Sequence, residues 1–314
     1  LICYSVKANS NLSLLQRLAR GGAGFDIVSG GELQRVLKAG GSPQKVVFAG
    51  VGKTRDEMAA ALKAGILMFN VESAEELKAL DEVGRQLGVR APFSLRVNPD
   101  VDARTHRHIS TSKASKFGVP FGEARALYSE ARGWHGVKAV GLDFHIGSQL
   151  TKLPPVKQAI GKVAKLFKEL NADGLRLTHL DVGGGIGIRY KNESTPTLQQ
   201  WAKAVLEPLK GLDATLVLEP GRVIVGNAGV LLTRVLYRKK QFVIVDAGMN
   251  DLVRPALYDA HHEIQPVSPR RGSKKAVDVV GPVCESADVL GRGRRLPPLE
   301  QGDLLAVMSA GAYG

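Results

Sequence analysis

The residue with the clearest capacity for chemistry is a lysine at the end of an apolar run. Lys7 closes the segment Ile2-Cys3-Tyr4-Ser5-Val6 and precedes Ala8-Asn9-Ser10-Asn11. Alternation with a period of two predicts a strand in which Lys7 shares one face with the small residues Cys3 and Ser5. A buried amine is unfavourable unless it is paired, neutralised or used covalently. The pattern favours a reactive amine beside room for a flat group; a lysine extending from a strand end into solvent is the alternative.

Four more polar residues interrupt or end apolar segments in the same way. They are Asp26 in Gly-Phe-Asp-Ile-Val-Ser, Arg96 in Ser-Leu-Arg-Val-Asn-Pro, His145 in Asp-Phe-His-Ile-Gly-Ser and Glu219 in Val-Leu-Glu-Pro-Gly-Arg. Each one alone fits a hydrogen-bonded buried group. In a parallel barrel the carboxyl-terminal ends of the strands meet at one mouth, so we expect these side chains and Lys7 to converge on one cavity.

Two glycine-rich stretches complete the predicted cavity. One is Asp181-Val182-Gly183-Gly184-Gly185-Ile186-Gly187, and the other is Glu219-Pro220-Gly221-Arg222. Glycine lets backbone N–H groups approach an anion because no Cβ is in the way. The stretches follow the last two predicted strands, where barrels commonly bind phosphate, and Ser148 in His-Ile-Gly-Ser-Gln adds a hydroxyl. The sequence therefore predicts a phosphate site here, with a simple tight turn as the alternative.

Strands and helices alternate along the first two thirds of the chain. The predicted strands are residues 2–6, 25–28, 46–49, 66–70, 93–97, 139–145, 178–182 and 215–219. The predicted helices are residues 11–20, 31–39, 54–64, 73–88, 122–132, 155–171 and 197–210. Eight such strands within about 220 residues predict an α/β fold, the (β/α)8 barrel of the TIM type. A doubly wound open sheet is the competitor, but no G-x-G-x-x-G follows the first strand.

The pattern changes after Arg222. Residues 223–249 are rich in β-branched side chains without helical spacing, and 276–283 and 303–309 continue in this manner. The length of 314 residues also exceeds what one hydrophobic core usually holds. We therefore predict a barrel over residues 1–223 and a β-rich C-terminal domain over residues 224–314.

The composition is that of an ordinary globular protein, with 44% hydrophobic and 23% charged residues. No apolar run reaches the roughly 18 to 20 residues of a membrane span, so we expect a cytoplasmic protein with no membrane partner. Only Cys3 and Cys284 are present, which argues against a disulfide framework. The net charge of +13 is scattered, with the basic runs 270–275 and 292–295 expected in solvated loops. Aromatic residues are only 5%, which disfavours a nucleic-acid partner.

The tract Tyr4-Ser5-Val6-Lys7-Ala8-Asn9 resembles the cofactor-binding lysine segment of pyridoxal-phosphate enzymes built on an alanine-racemase-like barrel. The later motifs, in order and spacing, look like those of the diaminopimelate decarboxylase family. They are Ser29-Gly30-Gly31-Glu32-Leu33, Lys116-Phe117-Gly118, Val245-Asp246-Ala247-Gly248-Met249-Asn250, Arg254-Pro255-Ala256-Leu257-Tyr258, Gly281-Pro282-Val283-Cys284-Glu285-Ser286 and Ala310-Gly311-Ala312-Tyr313-Gly314. The resemblance implies pyridoxal-phosphate fold type III, a barrel followed by a β-rich domain. It also implies that the chain is truncated at both ends, because family members continue with further segments.

The resemblance assigns roles to the predicted site. Lys7 would bind pyridoxal 5'-phosphate covalently, Glu219 would keep the pyridine nitrogen protonated, and His145 would stack on the ring. The phosphate would be held by Gly183, Gly184, Gly185, Gly221, Ser148 and Tyr313, with Pro220 and Arg222 also in the cofactor site. Asp26 and Arg96 would support these groups, with Arg96 orienting Glu219. The predicted set contains no metal ligand.

The resemblance further implies decarboxylation of meso-2,6-diaminopimelate to L-lysine and CO2, the last step of lysine biosynthesis. The implied substrate-binding residues are Arg222, Arg254, Tyr258, Glu285 and Tyr313. Two arginines and a tyrosine suit the carboxylate remote from the reacting carbon, and a glutamate suits the ammonium beside it. Cys284 is expected to give a proton to the α-carbon. In the family, Cys284 and Glu285 reach the site from the neighbouring subunit, which implies a homodimer with shared active sites.

Two alternatives remain open on the sequence. A related decarboxylase of ornithine, arginine or carboxynorspermidine would share the barrel and the cofactor, although for simple diamines an aspartate in place of Glu285 is more typical. A non-decarboxylating barrel protein is the second alternative. A cofactor-homeostasis protein of that kind lacks the β-rich domain, and a racemase places an arginine against the pyridine nitrogen and a tyrosine as its second base.

Overall fold

The structure is a computed structural model that describes residues 1–101 and 115–314. The chain divides into two units. The first unit consists of Leu1–Gly187 and Thr195–Gly221, and the second consists of Ile188–Ser194 and Arg222–Gly314. A short segment from the middle of the sequence thus belongs to the second unit. No helix within the described ranges has both the length and the apolar character needed to cross a bilayer.

The first unit is a barrel of parallel strands. Its strands are β1 (Cys3–Ser5), β2 (Gly24–Ile27), β3 (Val46–Phe48), β4 (Met68–Val71), β5 (Ala91–Asn98), β6 (Val119–Pro120), β7 (Val137–Asp143), β8 (His179–Asp181) and β9 (Thr215–Val217). The order is β1-β2-β3-β4-β5-β7-β8-β9, with β6 paired to β5 outside this path. A parallel bridge between Ile2 and Leu218 joins β9 to β1. The predicted barrel and its eight strands are confirmed, and β6 was not predicted.

Seven helices alternate with these strands, as the sequence predicts. They are α1 (Leu12–Arg20), α2 (Gly30–Lys38), α3 (Arg55–Ala64), α4 (Ala74–Gln86), α5 (Ala124–Ala131), α6 (Pro154–Ala172) and α7 (Leu198–Leu206). Five of them begin at a side chain that accepts a backbone N–H of the first turn: Asn11, Ser29, Thr54, Ser73 and Thr197. Such caps satisfy donors that a helix start otherwise leaves unpaired, so they fix where each helix begins after its strand.

Strand register places the polar residues of the barrel in rows. Ser5 of β1 lies beside Asp26 of β2, and Asn70 of β4 lies beside Ser94 of β5. A third row runs through Arg96, Asp143 and Asp181 on β5, β7 and β8. All of these side chains are buried. Since Asp143 and Asp181 are the last residues of their strands, this row lies at the carboxyl-terminal end of the barrel.

The second unit is built on a six-stranded sheet. Its elements are α8 (Arg222–Val225), β10 (Leu231–Lys239), β11 (Phe242–Val245), α9 (Arg254–Tyr258), β12 (Ile264–Pro266), β13 (Lys275–Val280), β14 (Val289–Leu296) and β15 (Leu304–Val307). The strand order is β12-β15-β10-β11-β13-β14, and only the β11–β13 pair is parallel. Valine and leucine side chains, among them Val235, Val243 and Leu305, form its buried core.

Two predictions for the second unit were wrong in detail. Residues 222–228 form a helical turn rather than extended chain, because a helix as short as α8 is too brief to show a 3.6-residue period. The basic run 292–295 lies within β14 and not in a loop. β14 is the last strand in the sheet order, where charged side chains can face solvent and discourage pairing with another chain.

Two helical glycines predict opposite effects of the same substitution. A Cβ at Gly84 in α4 would lie inside van der Waals distance of the Gly136 carbonyl oxygen, whereas a Cβ at Gly161 in α6 would meet nothing within 4 Å. We expect Gly84→Ala to lower the free energy of unfolding by about 1–3 kcal/mol through overpacking. Gly161→Ala should raise it by about 1 kcal/mol through helix propensity. Thermal or urea unfolding measures the change in the free energy of unfolding for both variants. A Gly84→Ala variant at least as stable as the parent would contradict the close packing of α4 at this position.

Candidate active site

The Lys7 amine is paired with a buried carboxylate at the end of the first strand. Lys7 lies in the 3-10 turn Val6–Ala8 that directly follows β1. Its Nζ is 3.1 Å from Asp26 Oδ2, and the Ser5 Oγ donates to the same oxygen at 2.5 Å. Asp26 is fully buried, while 44% of the Lys7 side chain is exposed. The amine is thus held at the barrel mouth by a carboxylate and remains accessible to a ligand.

Glu219 lies just beyond β9, in a pocket of buried acids. Its Oε1 accepts from Asn70 Nδ2 at 3.3 Å, and the same amide nitrogen donates to Asp181 Oδ2 at 3.1 Å. Asn70 Oδ1 in turn accepts from the Ser94 hydroxyl. Burial, and then the charges of Asp181 and Asp26, raise the pKa of Glu219 well above its ordinary value. Burial also raises the pKa of Asp181 to about 6.

Arg96 is paired with Glu72, while the orienting of Glu219 by Arg96 stays a prediction. The Arg96 Nη1 is 2.9 Å from Glu72 Oε1, and the guanidinium lies over the Phe117 ring at 4.9 Å. Glu72 follows β4, which is the neighbour of β5 that carries Arg96, so Glu72 is within direct reach. Burial lowers the pKa of Arg96, but the surrounding carboxylates, Glu72 first, raise it more. Arg96 therefore acts on Glu219 through its charge at a distance.

His145 and the glycine stretch after β8 form one side of the site. The His145 Nδ1 accepts from the Gly184 N–H at 3.3 Å, and burial lowers the pKa of His145 to about 3, so the ring is neutral. Gly183 and Gly185 have φ values of 64° and 94°, in the left-handed region that favours glycine. A Cβ on Gly184 would overlap the Glu219 carbonyl oxygen. The stretch therefore brings bare backbone close to the ends of β7, β8 and β9.

This geometry fits pyridoxal phosphate. Gly183, Gly184 and Gly185 pack too closely against neighbouring residues to carry a Cβ, so bare backbone, which an anion can approach closely, lies at this end of the barrel. Asp26 Oδ1 and Asp143 Oδ1 are buried and have no hydrogen-bond partner among the described residues. Burial and the charge of Asp181 also raise the pKa of Asp143 well above its ordinary value. The interior is thus rich in buried carboxyl groups, and a cationic ring nitrogen is a group that they would stabilise. Ser148 lies half-buried in the loop that follows β7.

The second unit contains its own cluster, around Arg222 and Arg254. Both arginines are buried. Arg222 Nη1 donates to the Tyr190 hydroxyl at 2.6 Å, and its guanidinium lies 4.8 Å from the centre of the Tyr313 ring. Arg254 Nη1 is 2.6 Å from His262 Nε2. Tyr258 lies one helical turn after Arg254, at the end of α9.

Cys284 and Glu285 occupy the turn between β13 and β14, and both are exposed. The buried carboxylate of Asp288 supports this turn, because Asp288 Oδ2 accepts from the Val283 N–H at 2.8 Å and Oδ1 accepts from the Met249 N–H at 2.7 Å. Cys3, in contrast, is fully buried in the barrel core. The roles predicted for Cys284 and Glu285 stay predictions.

The sequence alone did not single out several residues that hold the site side chains in place. They are Ser5, Asn70, Glu72, Asp143 and Asp181 in the barrel, and Tyr190, His262 and Asp288 in the second unit. A signal existed for Asp143, because it lies two residues before His145 and ends an apolar strand. No local pattern marks Tyr190, because its partners are distant in sequence.

Comparison with known proteins agrees with this geometry. The family described as "Pyridoxal-dependent decarboxylase, pyridoxal binding domain" matches residues 1–226. The barrel and this match together define the class of the protein, a pyridoxal-dependent decarboxylase of the barrel type.

Individual relatives show which family of this class the chain belongs to. Diaminopimelate decarboxylases of Pseudomonas aeruginosa and Pseudomonas fluorescens are 56% and 55% identical, over 100% of this chain and 77% of each relative. A crystal structure of the Helicobacter pylori diaminopimelate decarboxylase complexed with L-lysine is 50% identical, with a TM-score of 0.96 over 100% of this chain and 80% of that chain. The chain belongs to the diaminopimelate decarboxylase family.

The raised pKa of Glu219 predicts a pH-dependent stability in the cofactor-free protein. A carboxyl whose pKa is raised on folding favours the folded state below its ordinary pKa of 4.5, and this contribution is lost as the pH rises through the folded-state pKa. Glu219→Gln cannot ionise and keeps an acceptor for Asn70. We expect its Tm to be close to that of the parent at pH 4.5 and to exceed it increasingly towards about pH 8.

Differential scanning calorimetry across this pH range measures the effect. Glu130→Gln, which alters an exposed side chain on α5, is the matched control and should show no growing difference. A Glu219→Gln variant that loses Tm relative to the parent as the pH rises would show that the carboxylate is stabilised rather than disfavoured by its surroundings.

Proposed function

We propose that this protein uses pyridoxal 5'-phosphate to decarboxylate meso-2,6-diaminopimelate to L-lysine and CO2, the last step of lysine biosynthesis. The observation that carries the proposal is the arrangement at the carboxyl-terminal end of the barrel. There the Lys7 amine on Asp26, the glycine stretch and the buried Glu219 lie around the ends of neighbouring strands. Membership of the diaminopimelate decarboxylase family supports the same reaction.

Lys7 is the residue that holds the cofactor. Its amine is positioned by Asp26, and an amine next to a carboxylate can exchange a proton as its covalent partner changes. The glycine loops of Gly183, Gly184, Gly185 and Gly221, which let the backbone come close to an anion, would hold the phosphate together with the hydroxyls of Ser148 and Tyr313. Pro220 and Arg222 border it. His145, neutral at physiological pH, offers a flat uncharged surface to the ring.

Glu219 would hold the ring nitrogen of the cofactor. Pyridoxal phosphate, when bound, supplies an electron-withdrawing ring that accepts the electron pair left by departing CO2. The ring withdraws electrons best when its nitrogen is protonated, and a carboxylate placed there favours that state. Asn70 Nδ2 donates to Glu219 Oε1 and to Asp181 Oδ2, which fixes the positions of both carboxyl groups. Burial, and then the surrounding acids, raise the pKa of Glu219, so this site favours a bound proton that the nitrogen could share.

The second unit recognises the remote end of the substrate. Diaminopimelate carries a carboxylate and an ammonium at the end that does not react, whereas ornithine and arginine as substrates carry no carboxylate there. Arg222, Arg254 and Tyr258, with Tyr313, suit this carboxylate through charge-assisted hydrogen bonds. Glu285 suits the ammonium. A site for simple diamines would leave two buried guanidiniums unmatched, which favours diaminopimelate over those alternatives.

Cys284 is the proposed proton donor to the α-carbon after CO2 leaves. Its thiol is exposed on a turn anchored by Asp288, so it is free to enter a site formed with another subunit. We propose that Cys284 and Glu285 complete the site of a partner subunit in a homodimer. We also propose a cytoplasmic location, in keeping with the absence of a cysteine pattern for disulfides.

A decarboxylation assay tests the function. We expect the purified protein with pyridoxal phosphate to release CO2 from meso-diaminopimelate and not from L-lysine or L-ornithine. Borohydride reduction followed by peptide mass spectrometry should place the cofactor on Lys7. Lys7→Ala should lose both the label and the activity, while Lys63→Ala, an exposed lysine on α3, should keep both. Attachment to another lysine, or equal turnover of L-lysine, would refute the proposal.

Subunit mixing tests the shared site. Cys284→Ala and Lys7→Ala proteins should each be inactive, and mixing them under conditions of subunit exchange should restore activity. Random pairing gives heterodimers in about half of the population, each with one working site of two, so activity should approach roughly a quarter of the parent value. Proven exchange without any recovery would place Cys284 and Lys7 of one site in the same subunit.

A further inference from the structure

One tyrosine of the second unit contacts both of its buried arginines. Tyr190 belongs to the segment Ile188–Ser194, which follows the barrel strand β8 in sequence but is part of the second unit. Its hydroxyl accepts from Arg222 Nη1 at 2.6 Å, and its ring centre lies 4.3 Å from the Arg254 guanidinium carbon. Tyr190 is itself buried, so its position is fixed by packing. The hydroxyl of this side chain therefore orients one guanidinium, and its ring face orients the other.

His262 holds the second arginine from another side. Its side chain is fully buried, and its Nδ1 lies 2.8 Å from the Met308 carbonyl oxygen. A carbonyl oxygen can only accept, so Nδ1 carries the hydrogen and Nε2 is left as an acceptor. Nε2 lies 2.6 Å from Arg254 Nη1. Burial lowers the pKa of His262 to about 4, so the ring accepts this bond as a neutral group near pH 7.

Neutral partners leave the charge of Arg254 uncompensated. No carboxylate lies within ion-pair distance of Arg254 in the described part of the chain. Burial, and then the positive charge of Arg222, lower the pKa of Arg254. Arg96 in the barrel is the contrasting case, since its guanidinium is paired with Glu72. A buried guanidinium oriented by neutral groups, with a second guanidinium beside it, is arranged to receive an oxyanion.

We propose that Tyr190 and His262 are positioning residues for substrate specificity: they orient Arg222 and Arg254 for the remote carboxylate of the substrate, and the neutral His262 does so without neutralising Arg254. This inference rests on the proposed function. It adds that recognition of the carboxylate depends on two neutral acceptors. A carboxylate in place of either acceptor would orient the arginine equally well but would cancel the charge that binds the ligand.

Matched variants separate orientation from general packing. Tyr190→Phe keeps the ring under Arg254 and removes the acceptor for Arg222. His262→Asn keeps a donor for the Met308 carbonyl and removes the acceptor for Arg254, whereas His262→Gln places an amide oxygen near the former Nε2. We expect KM for meso-diaminopimelate to rise about tenfold in Tyr190→Phe and His262→Asn, which corresponds to about 1.4 kcal/mol. His262→Gln should recover part of this loss.

The decisive readout compares two ligands. L-lysine, the product, keeps the carboxylate that was remote from the reacting carbon, and 1,5-diaminopentane is the same molecule without it. We expect the inhibition constant of L-lysine to rise about tenfold in both variants, while that of 1,5-diaminopentane and the dissociation constant of pyridoxal phosphate stay at the parent values.

Three outcomes would overturn the inference. Equal weakening of both inhibitors would assign Tyr190 and His262 a merely structural role. Weaker binding of pyridoxal phosphate with an unchanged ratio of the two inhibition constants would assign the arginines to the cofactor phosphate. Parent-like constants in both variants would show that neither acceptor matters. Failure of the proposed function itself is distinguishable, because the parent protein would then release no CO2 from meso-diaminopimelate.

Discussion

The burial of several carboxyl groups inside one barrel is the constraint on which the first unit depends. Asp26, Asp143, Asp181 and Glu219 all lie out of solvent, and a carboxylate there is unfavourable unless donors or positive charge reach it. The barrel supplies few such donors among the described residues: Lys7 and Ser5 for Asp26, Asn70 for Asp181 and Glu219, and the Gly183 N–H for Asp181. These donors do not fully offset the burial of Glu219 and the negative charges around it, and the pKa of Glu219 is raised as a result. A cationic ring nitrogen at this place would supply positive charge, so cofactor binding would also relieve the unfavourable burial of these carboxyl groups.

Much of the fold could be predicted from the sequence because local patterns determine it. Apolar runs gave the eight barrel strands, and amphipathic segments gave the seven helices. What escaped prediction depends on tertiary contacts. β14 contains Arg292, Arg294 and Arg295, a composition typical of loops, yet it pairs along β13 at the end of the sheet order. The helical turn at Arg222–Val225 is likewise shorter than any periodicity can reveal.

The candidate site was predictable as a set of residues and less so as a set of contacts. Polar residues that end apolar strands had to meet in a parallel barrel, and the register places Arg96, Asp143 and Asp181 side by side. Which groups then pair depends on side-chain reach. Arg96 pairs with Glu72, which directly follows the neighbouring strand β4, and no sequence pattern pointed to this pair. Tyr190 escaped prediction for a different reason: its hydroxyl contacts Arg222, 32 residues away, and the short segment Ile188–Ser194 that carries Tyr190 joins the second unit only in the folded chain.

The buried arginines of the two units illustrate how partner charge decides what a guanidinium can do. Arg96 is paired with Glu72, whose other oxygen accepts from the N–H of Gly118, the residue that directly precedes β6. The charge of Arg96 is therefore largely balanced within the barrel. Arg254 makes equally short contacts, but with a neutral imidazole and an aromatic face. Both arrangements fix a side chain in place. Only the second retains a net positive charge. Because burial strengthens electrostatic attraction, this charge can attract a ligand oxyanion, whereas the charge of Arg96 is already paired within the barrel.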